Sequence, residues 1–196
     1  MLKKNSGFSM VELLAAVVIL GVLMMVAIPT VTNLLKDSKN KTYVDDSIRL
    51  VSTFEEKMRK DNMMPVPAVN NCIAINLTYL DNNTFDDAPY DGEYHGGYSF
   101  VVALREDINV YKYYVILVEK LPSGEEGFRG TDLSEVDSLY AKDAKDVSVK
   151  SLKKSSLFDL SDYVLDTSTL KTKLGARGIN CGEVIVYAPD RGKDEV

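Results

Sequence analysis

The feature that most limits how this chain can fold is an uncharged stretch from Leu13 to Leu35. As a helix, its roughly 23 residues would measure about 34 Å at 1.5 Å per residue, enough to cross the hydrocarbon core of a bilayer. A single acid, Glu12, stands at its head. A carboxylate at membrane depth costs on the order of 2.5–3.5 kcal/mol on insertion scales, so it calls for a partner. An ordinary secretory signal does not account for the stretch. Such a signal has an apolar region of about 7–15 residues closed by small residues, whereas Pro29-Thr30-Val31-Thr32-Asn33 makes a poor cleavage site.

The residues ahead of Glu12 narrow the field. Lys3 and Lys4 are followed by Gly7-Phe8-Ser9-Met10-Val11-Glu12. This arrangement resembles the prepilin signature of type IV pilins and pseudopilins, in which a short basic leader ends in Gly, then Phe, then a Glu five residues past the cut. Gly21 and Pro29 stand where many members carry a helix-softening Gly and Pro, while Ser9 and Met10 replace the commoner Thr and Leu. The resemblance covers about the first 35 residues. It implies that a prepilin peptidase cuts between Gly7 and Phe8 and that the new Phe8 amine is methylated. It also implies assembly through Phe8 and Glu12. The cationic amine of one subunit would meet the carboxylate of its neighbour, since a buried charge is tolerable mainly when paired. That pairing would set the axial register between subunits. The alternatives for Glu12 are a protonated carboxyl or a side chain that snorkels to the membrane face.

Gly21 and Pro29 carry two readings. Pro29 removes the helical bond to the Met25 carbonyl, at about 3 kcal/mol, and Gly21 costs roughly 1 kcal/mol. Both residue types are common in membrane helices and can simply kink the rod. The resemblance implies instead that the segment between them loosens when subunits leave the bilayer and pack in a fibre.

Past the uncharged stretch the helical pattern continues. Asp37–Lys60 is highly charged but carries Val44, Ile48, Val51 and Met58 at helical spacing, with Tyr43, Leu50 and Phe54 nearby. That is an apolar stripe of 3.6-residue period. No Gly or Pro interrupts residues 30–64, and Pro65 and Pro67 then end the run. The organisation expected is a leader at 1–7, a transmembrane and polymerisation helix at 8–35, its amphipathic continuation at 36–64, and a globular head at 65–196.

The head is within ordinary single-domain size and can bury its own core. Tyr98–Leu104 and Val110–Val118 are β-branched and aromatic runs joined by five polar-rich residues, 105–109, and read as a hairpin. Glu183–Tyr187 and Cys72–Leu80 read as further strands, and Val147–Lys150 and Tyr163–Leu165 as short edge strands. Leu133, Val136, Leu139 and Tyr140, after Thr131 as a cap, read as a helix over 133–142. The fold class expected is α+β, a long N-terminal helix packed on an antiparallel sheet.

Several stretches invite chemistry and give it little support. Asp81–Gly97 holds Asp81, Asp86, Asp87, Asp91, Glu93 and the sole histidine, His95. An EF-hand fails because Phe85 occupies a ligand position, so a solvated acidic loop is expected. Gly124–Gly130 lacks the Lys and Ser/Thr of a phosphate cradle, and its glutamates would repel phosphate, leaving a flexible turn. Cys72 and Cys181 are either a disulfide or two buried thiols, and both readings stay open. A metal site from these cysteines and His95 needs another ligand and has no supporting spacing. Asn76-Leu77-Thr78 and Asn82-Asn83-Thr84 fit the glycosylation pattern only weakly. No cofactor is expected.

Charge bears on partners. There are 23 basic and 29 acidic residues, a net −6, and loss of Lys3 and Lys4 makes the chain two units more negative. General attraction to nucleic acid is disfavoured, except at a filament tip. Lys142, Lys145, Lys150, Lys153 and Lys154 are interleaved with Asp143 and Asp146 and read as a solvated face. Lys3 and Lys4 precede the span and Lys36, Lys39 and Lys41 follow it, which by positive-inside counting alone would place the head in the cytoplasm. The Gly7-Phe8-Glu12 context points the other way, because prepilin leaders stay on the cytoplasmic face.

The function these features suggest is a structural subunit of a type IV pilus or related filament, serving adhesion or motility. A pseudopilin of a secretion or competence DNA-uptake system is the alternative. Its partners would be copies of itself or other pilins, the prepilin peptidase, an assembly platform with its ATPase, and the bilayer before assembly. The precursor would be a single-pass membrane protein with an extracytoplasmic head, later part of an extracellular filament. The competing class is a membrane-tethered enzyme or binding domain, for which no catalytic constellation stands out.

Overall fold

Helix α1 runs from Met10 to Lys60 in the computed structural model and passes through Pro29 without a break. The structure describes residues 9–62, 64–80, 85, 87–121, 127–131, 133–137, 149–152, 160–161, 164–165 and 167–188. The chain divides into two compact units, Met1–Ser38 and Lys39–Val196.

In the first unit every large apolar side chain from Met10 to Leu35 is more than half exposed. Among the described residues α1 is the one helix long and apolar enough to cross a membrane, and none of its apolar stretch is buried. In the second unit the same helix becomes one-sided. Asn40, Tyr43, Val44, Ser47, Leu50, Val51 and Phe54 are buried, at steps of three and four residues that define one face. Ile48 and Met58 pack at the edge of this stripe. Asn40 and Ser47 also lie on it; the Ser47 hydroxyl is satisfied by donating to the Tyr43 carbonyl at 2.7 Å. Lys57, Arg59 and Lys60 occupy the last turn, where cations complement the exposed carbonyls.

The head is built on a five-stranded sheet with the order β11-β1-β3-β4-β7. Its members are β1 (Cys72–Asn76), β3 (Phe100–Asp107), β4 (Val110–Ile116), β7 (Ser134–Glu135) and β11 (Val184–Val186). A second sheet, of four strands, joins β2 (Glu93–Tyr94), β5 (Val118–Lys120), β6 (Phe128–Gly130) and β8 (Lys150–Leu152). The strands β9 (Leu160–Ser161) and β10 (Val164–Leu165) pair with each other. Helix α2 covers Thr167–Gly175.

This is an α+β architecture, but the main sheet is mixed rather than antiparallel throughout. β11 runs parallel to β1, with Cys72 opposite Val184. A parallel neighbour needs a crossover, and the chain reaches β11 only after α2. Both faces of this sheet are covered, which is why β1 and β3 begin as continuous apolar runs instead of alternating. Ile73, Ile75, Val101, Ala103, Val115 and Leu117 face α1 and its Tyr43, Leu50 and Phe54. Cys72, Ala74, Phe100, Val102 and Ile116 face the opposite way, against Leu170, Leu174 and Ile179.

Several expectations need correction. The 105–109 segment is not a five-residue link, because Arg105–Asp107 continue β3 with a bulge and only Ile108-Asn109 turn. Asn109 adopts φ +62°, a left-handed conformation that Asn tolerates. The run Val110–Val118 is not one strand. The Ser99 hydroxyl accepts the Val118 N–H at 2.9 Å, replacing a ladder partner, and the chain passes into the second sheet. Cys72–Leu80 is a strand only to Asn76 and then a 3-10 turn, Leu77–Tyr79. Ser134–Glu135 pair with Tyr114 and Val115 as a strand at the start of the expected 133–142 helix; Val136 and Asp137 are helical, and Leu139 and Tyr140 lie outside the described residues. Phe128–Gly130 is a sheet strand between β5 and β8, not part of a flexible turn. Asn76 is 1 % exposed, so the first glycosylation pattern is inaccessible in the folded head. Tyr163, 81–84, Asp86, 122–126 and four of the five lysines of the basic face lie outside the described residues.

In the stretch between Asp87 and Gly97 the acids Asp87, Asp91 and Glu93 are exposed as expected, but the stretch also docks on α1 through its tyrosines. Its Tyr90 hydroxyl donates to Asn40 Oδ1 of α1 at 3.1 Å, and its Tyr94 hydroxyl to Asp46 Oδ2 at 2.7 Å. His95 stacks on Tyr98 with ring centroids 4.2 Å apart, and its Nδ1 accepts the Tyr98 N–H. The pattern recurs elsewhere on α1 and just past its end at Asp61. Tyr43 donates to Glu119 Oε2 at 2.6 Å, Tyr113 bonds Glu55, and Tyr187 donates to Asp61 Oδ2 at 2.5 Å. A row of phenol bonds therefore joins the Lys39–Lys60 half of α1 to the sheets. Burial first, then the facing acids, raise the Tyr43, Tyr94 and Tyr113 phenols, and the Asp61 bond takes Tyr187 to about 12. These groups therefore remain protonated donors at any ordinary pH.

Asp46 pays for its place in this row. Burial raises its pKa above 3.8, against the opposing pull of the Tyr94 bond and of Arg49. An acid raised on folding contributes stability that is full below its unfolded value and is lost as pH climbs through the folded one. Asp46→Asn keeps an acceptor for Tyr94 and removes the charge. Since the group is half exposed, the detergent-solubilised variant should melt about 1–2 °C above the parent at pH 7. The gap should shrink as pH falls toward 4; a gap that widened on acidification would contradict the assigned cost.

Candidate functional site

The N-terminal end of α1 brings Glu12 and Ser9 together. The Glu12 Oε2 accepts the Ser9 backbone N–H at 2.8 Å and the Ser9 hydroxyl at 2.9 Å. In return the Glu12 N–H reaches the Ser9 Oγ at 3.3 Å. This is a reciprocal capping box, in which a Ser at the cap and a Glu three residues on satisfy donors that the first helical turn leaves open. It forms because Ser9 and Glu12 have the required spacing directly before an apolar run. The carboxylate is thus held at the helix start, where the dipole favours an anion. Both bonds fall on Oε2, so Oε1 has no protein partner among the described residues. Gly7 and Phe8 lie outside the described residues.

Sequence reasoning missed Ser9. It entered only as a replacement for Thr, although the S-x-x-E spacing before an apolar stretch was visible and is the signal for this cap.

Gly21 and Pro29 lie within the continuous helix. A side chain at Gly21 would meet nothing within 4 Å, so no close approach within this chain requires glycine there. Around Pro29 two hydroxyls turn back on the helix: Thr30 donates to the Val26 carbonyl at 3.0 Å, and Thr32 to the Ile28 and Pro29 carbonyls at 3.1 and 2.9 Å. Polar side chains in an apolar medium are costly when unpaired, and these are satisfied by their own backbone. The two hydroxyls are therefore compatible with hydrocarbon, although neither bond is made to the Met25 carbonyl that Pro29 frees.

Cys72 and Cys181 are joined in a disulfide with a Cα–Cα distance of 5.6 Å. Their sulfurs are thereby unavailable to a metal, and His95 is engaged in the turn it begins. Among the described residues no group of three or more His, Cys, Asp or Glu is placed to hold a metal ion.

The geometry is that of an apolar helix, uncovered along its length, with a single capped acid at its head. Residues 2–28 match the family model for the prokaryotic N-terminal methylation motif, which is the prepilin-type signature. No curated protein and no solved structure matches the chain. The motif supports a type IV pilin-like or pseudopilin protein, implies processing by a prepilin peptidase and polymerisation, and with the apolar helix fits a membrane-anchored precursor.

Proposed function

We propose that the chain is a filament subunit, inserted as a single-pass precursor with its leader at 1–7 in the cytoplasm and its head outside. Cleavage falls between Gly7 and Phe8, and the Phe8 amine is methylated. The 8–35 helix then leaves the bilayer and packs against other copies, while 36–64 carries the head. What supports this is the uncovered apolar helix headed by one acid within the methylation motif. In water that surface would have to be buried, and association of like rods buries it without lipid. Glu12 would take the Phe8 amine of a neighbour, with Oε1 as the oxygen that the Ser9 cap does not use. Gly21 and Pro29 would soften the helix during transfer. Adhesion or motility fits a surface fibre. A pseudopilin of a secretion or DNA-uptake apparatus would use the same N-terminal end in a shorter assembly.

The deciding measurement is the mass of the mature N-terminus from native cells. A methylated phenylalanine at position 8 is expected, and an intact Met1 terminus would overturn the proposal. Gly7→Arg should block cutting. Glu12→Ala should leave insertion and cleavage intact and abolish most sheared filament, so normal filament number from that variant would remove Glu12 from assembly.

A further inference from the structure

Outside the apolar stretch of α1, the exposed large apolar side chains among the described residues are Val66, Val69, Ile108 and Val110. They come from two distant parts of the sequence yet share one end of the head. The Arg105 guanidinium donates to the Pro67 carbonyl at 2.9 Å, and the Asn70 N–H donates to the Arg105 carbonyl at 2.7 Å. These bonds lay the 66–70 segment against the base of the β3–β4 turn. Ile108, at the turn itself, is 71 % exposed. Beside it stands exposed Asp107, whose Oδ1 accepts the Ile108 N–H. Exposed apolar residues on two adjoining segments, next to an acid, are suited to an apolar surface that carries a cation.

The chain itself offers such a surface. Leu34 and Leu35 are both more than half exposed, and Lys36, directly after them, is exposed as well. We infer that Ile108 and Val110, with Val66 and Val69, dock on Leu34 and Leu35 of a second copy, with Asp107 set against that copy's Lys36. The apolar contact supplies the burial, and the charge pair at its rim sets orientation. The two halves are different patches of one molecule, so the contact is heterologous: it need not close on itself and can propagate. It presupposes the filament proposed above and adds a head surface to the contacts made at Glu12.

The test uses full-length protein in cells, with filaments sheared from the surface. Leu34→Cys combined with Ile108→Cys should give, on mild oxidation, a ladder of covalent multimers, because every copy carries both halves. Asp107→Lys should lose most of the filament, and adding Lys36→Asp should restore it. Filaments that stay uncrosslinked, together with normal yield from Asp107→Lys, would overturn this contact and assign the patch to some other partner, leaving the filament intact. No filaments from the parent chain would overturn both.

Discussion

Removing the Cys72–Cys181 bridge, by reductant or by replacing both cysteines with alanine, should lower the stability of the head by about 3–5 kcal/mol. The bridge spans 109 residues, and in the chain-entropy picture a loop of that size is worth about 4.7 kcal/mol, with measured values often smaller. Packing adds to the loss. Cys72 is fully buried, and both sulfurs sit in the core layer formed by Phe100, Leu170, Leu174 and Ile179. The bridge also ties β1 to the segment that leads into its parallel neighbour β11, a strand of only three residues. Without the tie, that pairing must be reached across a long loop. A fall in melting temperature of about 10 °C is expected for detergent-solubilised protein on reduction. A change below about 2 °C would show that packing alone holds α2 and β11 in place.

Tyr43→Phe should cost about 2–4 kcal/mol although it removes a single oxygen. Glu119 is fully buried, and its carboxylate is held from two sides: by the Tyr43 hydroxyl on Oε2 and by the Gly92 N–H on Oε1 at 2.8 Å. Deleting one donor leaves a buried acid half satisfied, which is far more damaging than losing an average exposed hydrogen bond. Gly92 has no substitute in this arrangement. A Cβ there would lie 2.1 Å from the Lys120 carbonyl oxygen and 2.7 Å from Glu119 Oε1, so the backbone can approach the acid only without a side chain. Adding Glu119→Gln to Tyr43→Phe should recover more than half of the loss. The amide keeps the Gly92 bond and strands no charge. If the double variant is less stable than Tyr43→Phe alone, the penalty does not come from the carboxylate. Chemical denaturation of the head signal measures both.

The row of phenol bonds explains why the second half of α1 was only partly legible. Its apolar positions could be read from spacing, and Tyr43, Val44, Leu50, Val51 and Phe54 are buried as that period requires. Asn40 and Ser47 lie on the same face, yet nothing local marks a polar residue as buried. The partner of Asn40, Tyr90, is distant in sequence. The acidic stretch around Asp91 misled for the same reason: its tyrosines, not its acids, decide where it goes. Helix α2 escaped notice because only Leu170 and Leu174 point inward, too short a pattern to separate from a loop.

The N-terminal stretch could be read without coordinates because its message is local: an uncharged run has one length, one chemistry and one acid at its head, whatever the rest of the chain does. Pairings could not be read that way. That β11 lies parallel to β1, that Ser99 diverts the chain into a second sheet, and that Ser134–Glu135 extend a sheet before the chain turns helical at Val136 all depend on groups far apart in sequence. Which backbone donor meets which acceptor across a sheet is settled by the collective burial of both faces, a quantity that exists only once the chain has folded.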